Sequence, residues 1–369
     1  MKKRILAGAL TASLCMTLSG CAAMLERSYH ASAQHIDRLA VAEDSSVLRV
    51  ENYRELVSAV LYLVSQGAEE GVIQLHDYTG EVETDLPAAC LEVANEDPLG
   101  AYAVDYIKHE YTRVVSYYQA TLNIHYRRTL EQVRSMVNVT GTGAIRTELQ
   151  EALARFDPEV VLRVAYFAED EQSIAQLIRQ AYYDTPAAAL GMPQAQISLY
   201  PDEGSQRVVE IQLTYPEGEE ELRAKSRELS DQVDAITAAY WDLEGETLAQ
   251  RAARELARRV SYSAQGGSTA YDAFTAGEAD SQGMALAYVM LCGRTTVDCE
   301  VVEGEREGEP WFWNRVQFFG EEQRYLDPTQ GDSRLRTARE LFEEGYRWPG
   351  GPQEPEEAVQ VQAETVDPM

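Results

Sequence analysis

From Asn52 onward, apolar positions recur at helical spacing. Leu56, Val57, Val60, Leu63 and Val64 form one stripe. Val72-Ile73-Gln74-Leu75 predicts a strand, residues 82–94 a second helix, and Asp97-Pro98-Leu99-Gly100 a turn. Ile107–Val114 and Ser116–Tyr126 are rich in β-branched and aromatic residues and predict two strands. The same order then returns. Ile145, Leu149, Ala152, Leu153 and Phe156 form a helical stripe, Val161–Val164 a strand, and Ile174, Leu177, Ile178 and Ala181 a second stripe. Asp184–Gly191 is the turn region, and Ile197–Tyr200 and Val208–Tyr215 close a hairpin. Tyr126 and Tyr215 are 89 residues apart, and so are Val72 and Val161. The expected fold is α+β, with a duplicated α-β-α-β-β N-terminal region, one copy over 49–128 and the other over 140–217. Neither copy carries a phosphate-binding glycine loop.

Residues 219–259 read as helical with a break near Gly245. The stripe Leu248, Ala252, Leu256, Val260 backs onto a charged face, the pattern of a linker helix and packing surface. Ser333–Tyr346 allows one last helix with Ala338, Leu341 and Phe342 on one face. Residues 21–48 read as a polar tether, and 347–369, rich in Gly, Pro and Glu, as an acidic disordered tail.

Charge narrows the function classes. Asp+Glu number 61 against 32 Lys+Arg, a net of -29. This excludes a protein built to hold nucleic acid through its phosphates and disfavours adsorption to anionic lipid by charge. The five histidines all precede Tyr126, so chemistry in the last two thirds has no local imidazole. Cys90, Cys292 and Cys299 show no CxxC spacing and no neighbouring His, so no metal site and no cofactor are expected. Cys292 and Cys299 either pair or stay as buried thiols. The many tyrosines, Tyr182 and Tyr183 among them, read as packing rather than as a carbohydrate platform, with Tyr117 and Tyr118 exposed in part.

The N-terminus carries a processing signal. Lys2, Lys3 and Arg4 precede a mostly apolar Ile5–Leu18, and Leu18-Ser19-Gly20-Cys21 closes the segment. This resembles the lipobox of bacterial lipoproteins. The resemblance implies a signal peptide over 1–20, cleavage before Cys21, and attachment of lipid to Cys21. The chain would then be held at the extracytoplasmic face of a bacterial membrane.

Residues 245–332 resemble a transglutaminase-like domain of papain-like fold, within a region expected to span 219–346. Gly277, then Ser281-Gln282-Gly283 opening an apolar helix, match a family segment in which Cys-x-Gly carries the nucleophile. Trp311-Phe312-Trp313-Asn314 matches a His-Ala-Trp-Asn motif, with Trp311 in place of the base. Asp327-Pro328-Thr329 matches the segment of the orienting acid. Two departures accompany these. An aromatic pair is replaced around Gln323, Arg324 and Tyr325, and a Gly by Thr296.

The chemistry of the triad gives these replacements their meaning. A Cys nucleophile works through an accessible thiolate, an imidazole takes its proton, and a carboxylate fixes that imidazole. A serine hydroxyl needs the base more, and an indole has a donor but no acceptor. The sequence therefore predicts no catalytic residue and a degenerate set of Ser281, Trp311 and Asp327. Asp327 is expected to accept hydrogen bonds from the Trp311 indole or from nearby backbone. Ser281 is expected to start a helix and cap its turn, and Asn314 to hold strand geometry. Gln282, Trp311, Trp313 and Asn314 are candidates to line a groove.

The function expected is that of a lipid-anchored binding or scaffold protein. Its partners would be a surface protein, a peptide or a cell-wall fragment, together with the membrane through Cys21, and no nucleic acid. The enzyme alternative is an amide or ester hydrolase using Ser281 with His109 or His125 as acceptor. A structural spacer of surface assemblies is the third class.

Overall fold

In the computed structural model the described residues are 40–41, 47–167, 170–240, 242–293, 297–318, 320 and 322–353. The expected signal peptide, Cys21 and nearly all of the expected tether lie outside them, as do 354–369. The chain is α+β and clusters into two compact units. One comprises residues up to 181 with 193–215, and the other 182–192 with 216 onward.

The first unit holds two sheets. After β1 (Ala40–Val41), the first repeat runs β2 (Val47–Val50), helix Tyr53–Gln66, β3 (Glu70–His76), helix Val82–Asn95, short helix Pro98–Ala103, β4 (Val104–Val114) and β5 (Tyr117–Tyr126). Helix Leu130–Arg134 leads to the second. That repeat runs β6 (Val137–Thr140), helix Gly141–Arg155, β7 (Glu159–Ala165), helix Glu171–Asp184, β8 (Gln194–Tyr200) and β9 (Gln206–Thr214). The sheets are ordered β1-β2-β3-β5-β4 and β6-β7-β9-β8. In each, the opening strand pairs parallel with the next, and that strand pairs antiparallel with the last.

The registers coincide at the offset of 89. Val72 faces Thr121, and Val161 faces Glu210. One irregularity separates the hairpins: β4 slips between Val104 and Tyr106, whereas β8 pairs with β9 without a break. Helix ends repeat too. Gly67 at φ 67 bonds back to Leu63 and Val64, and Phe156 at φ 60 to Ala152 and Leu153. These left-handed caps satisfy carbonyls that a helix end leaves open.

The duplication thus matches the expected order, with one correction: each repeat begins with a strand and reads β-α-β-α-β-β. Val47–Val50 and Val137–Thr140 have only four residues each, too short to show alternation. The expected starts at 49 and 140 fall inside these strands. Asp97–Gly100 is also not a free turn. Asp97 caps Pro98–Ala103 by accepting the Leu99 and Gly100 N–H groups, with Pro98 in the first turn where it costs no hydrogen bond. Gly100 is required there, because a Cβ would lie 1.7 Å from the Val93 carbonyl oxygen. Leu56, Val60, Ile73, Leu75, Leu86 and Leu122 are buried in the first core. Each contributes roughly 1.5–3 kcal/mol of transfer free energy.

The second unit opens with helices Glu219–Thr237 and Gly245–Ala257. β10 (Ser261–Gly267) and β11 (Glu278–Ala279) pair parallel around helix Ala270–Ala276. Next comes helix Ser281–Cys292, and all its residues except Gln282 are buried. It packs against an antiparallel sheet ordered β14-β13-β12-β15, built from β12 (Asp298–Arg306), β13 (Glu309–Gln317), β14 (Arg324–Leu326) and β15 (Tyr346–Arg347). The last helix is Ala338–Glu343, shorter than expected, because Arg336 is held in a bridge with Tyr325 and Thr337 is the N-cap. The tail expected from 347 does not begin there. Arg347 pairs with Glu305, and Trp348 packs edge-on to Trp313 at 5.5 Å.

Candidate functional site

The site is assembled from the start of helix Ser281–Cys292, from β12, β13 and β15, and from the 3₁₀ turn Pro328–Gln330. Asp280, not Ser281, caps the helix: its carboxylate accepts the Gly283 N–H at 2.8 Å. Ser281 is the first helical residue and is buried. Its Oγ accepts the Phe312 N–H at 3.4 Å. Gly283 allows this packing, since a Cβ there would lie 2.5 Å from the Gly267 carbonyl oxygen. Gln282 donates to the Ser268 carbonyl at 3.1 Å.

Trp311 and Asp327 are brought together. The Trp311 Nε1–H donates to Asp327 Oδ2 at 3.0 Å, one of the bonds expected from the sequence. Asp327 is 0% exposed. Its Oδ2 also accepts from the Tyr346 hydroxyl at 2.6 Å and from Gln330 Nε2 at 3.3 Å. Its Oδ1 accepts the Thr329 N–H at 2.9 Å. Arg306 Nη1 lies 3.8 Å from Oδ2, and its guanidinium sits over the rings of Trp311 and Tyr346 at 5.4 and 5.2 Å. A buried carboxylate without partners would be costly; this one has four donors and a nearby guanidinium. Burial first, and then the Asp327 charge, pushes the Tyr346 phenol well above its usual range, so Tyr346 stays a donor.

The remaining candidates separate by depth. Trp311 is half-buried, with Tyr262 tilted against it at 5.2 Å. Trp313 and Asn314 are both fully buried and do not line a groove. Trp313 fills the space between Tyr346 and Trp348. Asn314 does more than hold its strand: Nδ2 donates to the Ala285 and Glu300 carbonyls, tying the helix to β12. Trp311 and Gln282 are each partly exposed.

His109 and His125, the alternative acceptors, lie on β4 and β5 of the first unit, where His125 stacks on Tyr106 at 4.2 Å. Tyr182 is buried and meets Tyr183 edge-on, as packing residues do. Cys90, Cys292 and Cys299 form no disulfide, and burial pushes the Cys90 thiol up to about 12 and that of Cys299 upward.

Sequence reasoning missed Arg306, Tyr346 and Tyr262. No motif marks them. Arg306 comes near Asp327 only through the sheet register that sets it opposite Tyr346. Among the described residues, no helix is long and apolar enough to cross a membrane.

No known protein family and no curated protein matches the chain. A solved structure described as a crystal structure of a TGase resembles it at a TM-score of 0.27 and 13% identity, over 46% of this chain and 51% of that one. The chain thus spans about half of that protein, and a likeness of this size establishes neither a shared fold nor a shared activity.

Proposed function

We propose that this is an exported, lipid-anchored protein whose second unit is a transglutaminase-like domain without turnover. In this reading the unit is retained to bind or scaffold a surface protein, a peptide or a wall fragment. The observation that carries the proposal is the bond from Trp311 Nε1 to Asp327 Oδ2. In a working triad the acid orients an imidazole that takes the nucleophile's proton. Here an indole fills the base position, donates to the acid, and has no lone pair with which to accept a proton. Ser281, whose hydroxyl holds its proton tightly, is left with a backbone N–H as the neighbour of its oxygen.

The test uses the mature chain and its Ser281→Ala variant, incubated with a mixed library of peptides and amine donors. The expected result is no product from either. Product that forms with the native chain and disappears in Ser281→Ala overturns the proposal, and loss in His109→Ala or His125→Ala would then identify the acceptor. Mass spectrometry of the mature N-terminus tests the anchor. An unmodified chain beginning elsewhere than Cys21 refutes it.

A further inference from the structure

The first repeat has a cavity lined by residues that differ from those at several matching places of the second. It has a volume of about 660 Å³ and lies where β3 ends, the β4–β5 hairpin turns, and helix Val82–Asn95 begins. That volume is in the range of sites for small organic ligands. Its aromatic lining includes Tyr78, Tyr111 and Tyr118. Tyr111 meets Tyr118 edge-on at 6.1 Å, and the Arg113 guanidinium lies over Tyr118 at 5.8 Å. Tyr111 is 40% exposed, so its ring is available from solvent.

The duplication supplies an internal comparison. Leu75 pairs with Tyr118 in the first repeat, and Val164 pairs with Arg207 at the same place in the second. A left-handed residue comes after the strand in both, Asp77 at φ 46 and Tyr166 at φ 60. The next position is Tyr78 in one and Phe167 in the other. Phe167 is buried and the Arg207 guanidinium covers its ring at 5.3 Å. Tyr78 instead borders the cavity, and its hydroxyl is turned to Asp85 at 3.0 Å. The two copies thus place different side chains at the same point of a shared architecture.

The polar lining restricts the ligand. Asp77, Glu81 and Glu83 oppose an anion. Arg113 already occupies the face of Tyr118 that a cation would seek, so a cation would meet the carboxylates without that ring. A neutral molecule with many hydroxyls suits both kinds of group: it donates to the carboxylates and accepts from Arg113 and Ser116. Its C–H faces pack on tyrosine rings. We propose that this cavity binds an uncharged saccharide, independently of the Ser281–Trp311–Asp327 region in the other unit.

Calorimetric titration of the mature chain with chitotetraose, cellotetraose and maltotetraose tests this, with spermidine and a heparin tetrasaccharide as charged probes. At least one neutral sugar should bind. Tyr111→Ala and Arg113→Ala should each weaken it about tenfold, while Tyr111→Phe, which keeps the ring, stays near native affinity. Trp311→Ala should leave it unchanged, whatever becomes of the second unit's proposed role. Thermal melts of the exposed-site variants check that the fold is intact. Failure of every neutral sugar, preference for a charged probe, or binding that survives Tyr111→Ala in a folded protein overturns the proposal.

Discussion

Tyr126 and Tyr215 make the same hydrogen bond 89 residues apart: Tyr126 donates to the Ala68 carbonyl at 2.9 Å and Tyr215 to the Asp157 carbonyl at 3.2 Å. Each acceptor stands immediately after a left-handed helix cap, so each phenol ties the end of a repeat to the start of its central strand. Tyr126→Phe and Tyr215→Phe should each cost about 1 kcal/mol, the usual net value of such a bond. Urea denaturation measures it. Unchanged midpoints in both variants would mean that the shared tie contributes nothing.

The same phenols predict an alkaline transition. Burial, with Glu69 second, pushes Tyr126 up to about 12, and burial also raises Tyr215. An unfolded tyrosine ionises near about 10. The folded state therefore favours the neutral phenol. Its contribution is fully present below about pH 10 and is lost as pH rises toward the folded values. Phenolate absorbance should show a late-titrating class that shrinks by one tyrosine in Tyr126→Phe. Titration of every tyrosine together near the free value would contradict this.

Gly67 and Phe156 hold one backbone conformation with opposite side-chain demands. Gly67→Ala should destabilise by about 1 kcal/mol or more, because an L-residue is strained at this φ and its Cβ would lie 2.7 Å from Leu130. Phe156→Gly relieves that strain but removes a buried ring that packs on Tyr215. Loss of such a ring costs roughly 3–5 kcal/mol, so packing wins and this variant is also destabilised. A more stable Phe156→Gly in thermal melts would reverse that ranking.

The repeat is legible in the sequence because buried positions such as Leu63 and Ala152 keep their spacing, and Tyr126 and Tyr215 mark equal distances. The opening strands are not, since four residues give periodicity nothing to repeat. Asp97–Gly100 carries the residues of a turn, which also serve to cap and start a helix, and the approach of Gly100 to the Val93 backbone has no local signal. Trp348 stands among Gly and Pro residues and reads as tail, yet its ring has a partner in Trp313. At the site, the Trp311–Asp327 bond can be inferred from a motif. The roles of Arg306 and Tyr346 depend on strand register across distant sequence, which no local pattern encodes.

Arg128 and Glu210 join the two repeats within the first unit. Arg128 Nη2 reaches both Glu210 oxygens, at 2.9 and 2.7 Å, and Tyr200 donates to the same carboxylate at 3.1 Å. Glu210 is 3% exposed. Arg128→Met leaves a buried charge with one donor fewer and should cost about 3–5 kcal/mol, while Arg128→Met with Glu210→Gln should recover part of it. A cycle by denaturant unfolding measures the coupling. A double variant whose cost is the sum of the Arg128→Met and Glu210→Gln costs would place the pair's coupling near zero.

On the proposed transglutaminase-like reading, Ser281→Cys and Trp311→His test whether positions 281, 311 and 327 have the geometry of a triad. Ser281→Cys alone should give a poorly reactive thiol, since the partner at Ser281 Oγ among the described residues is an N–H donor and not a base. Adding Trp311→His supplies an imidazole on β13, the strand whose Phe312 N–H already touches Ser281 Oγ. Asp327 is present to orient it, but its Oδ2 is held by Tyr346 at 2.6 Å, and a ring smaller than indole leaves space to be filled. The double variant should therefore gain thiolate character without turnover, because small misplacements remove much of a catalytic rate. Adding Tyr346→Phe frees Asp327 Oδ2 from one donor and should strengthen the effect. Iodoacetamide alkylation at position 281, tracked against pH by peptide mass mapping, is the measurement. Its profile should shift to lower pH from single to double to triple variant. Superimposable profiles would show that an imidazole at position 311 does not reach the thiol at position 281, and would count against the proposed triad reading.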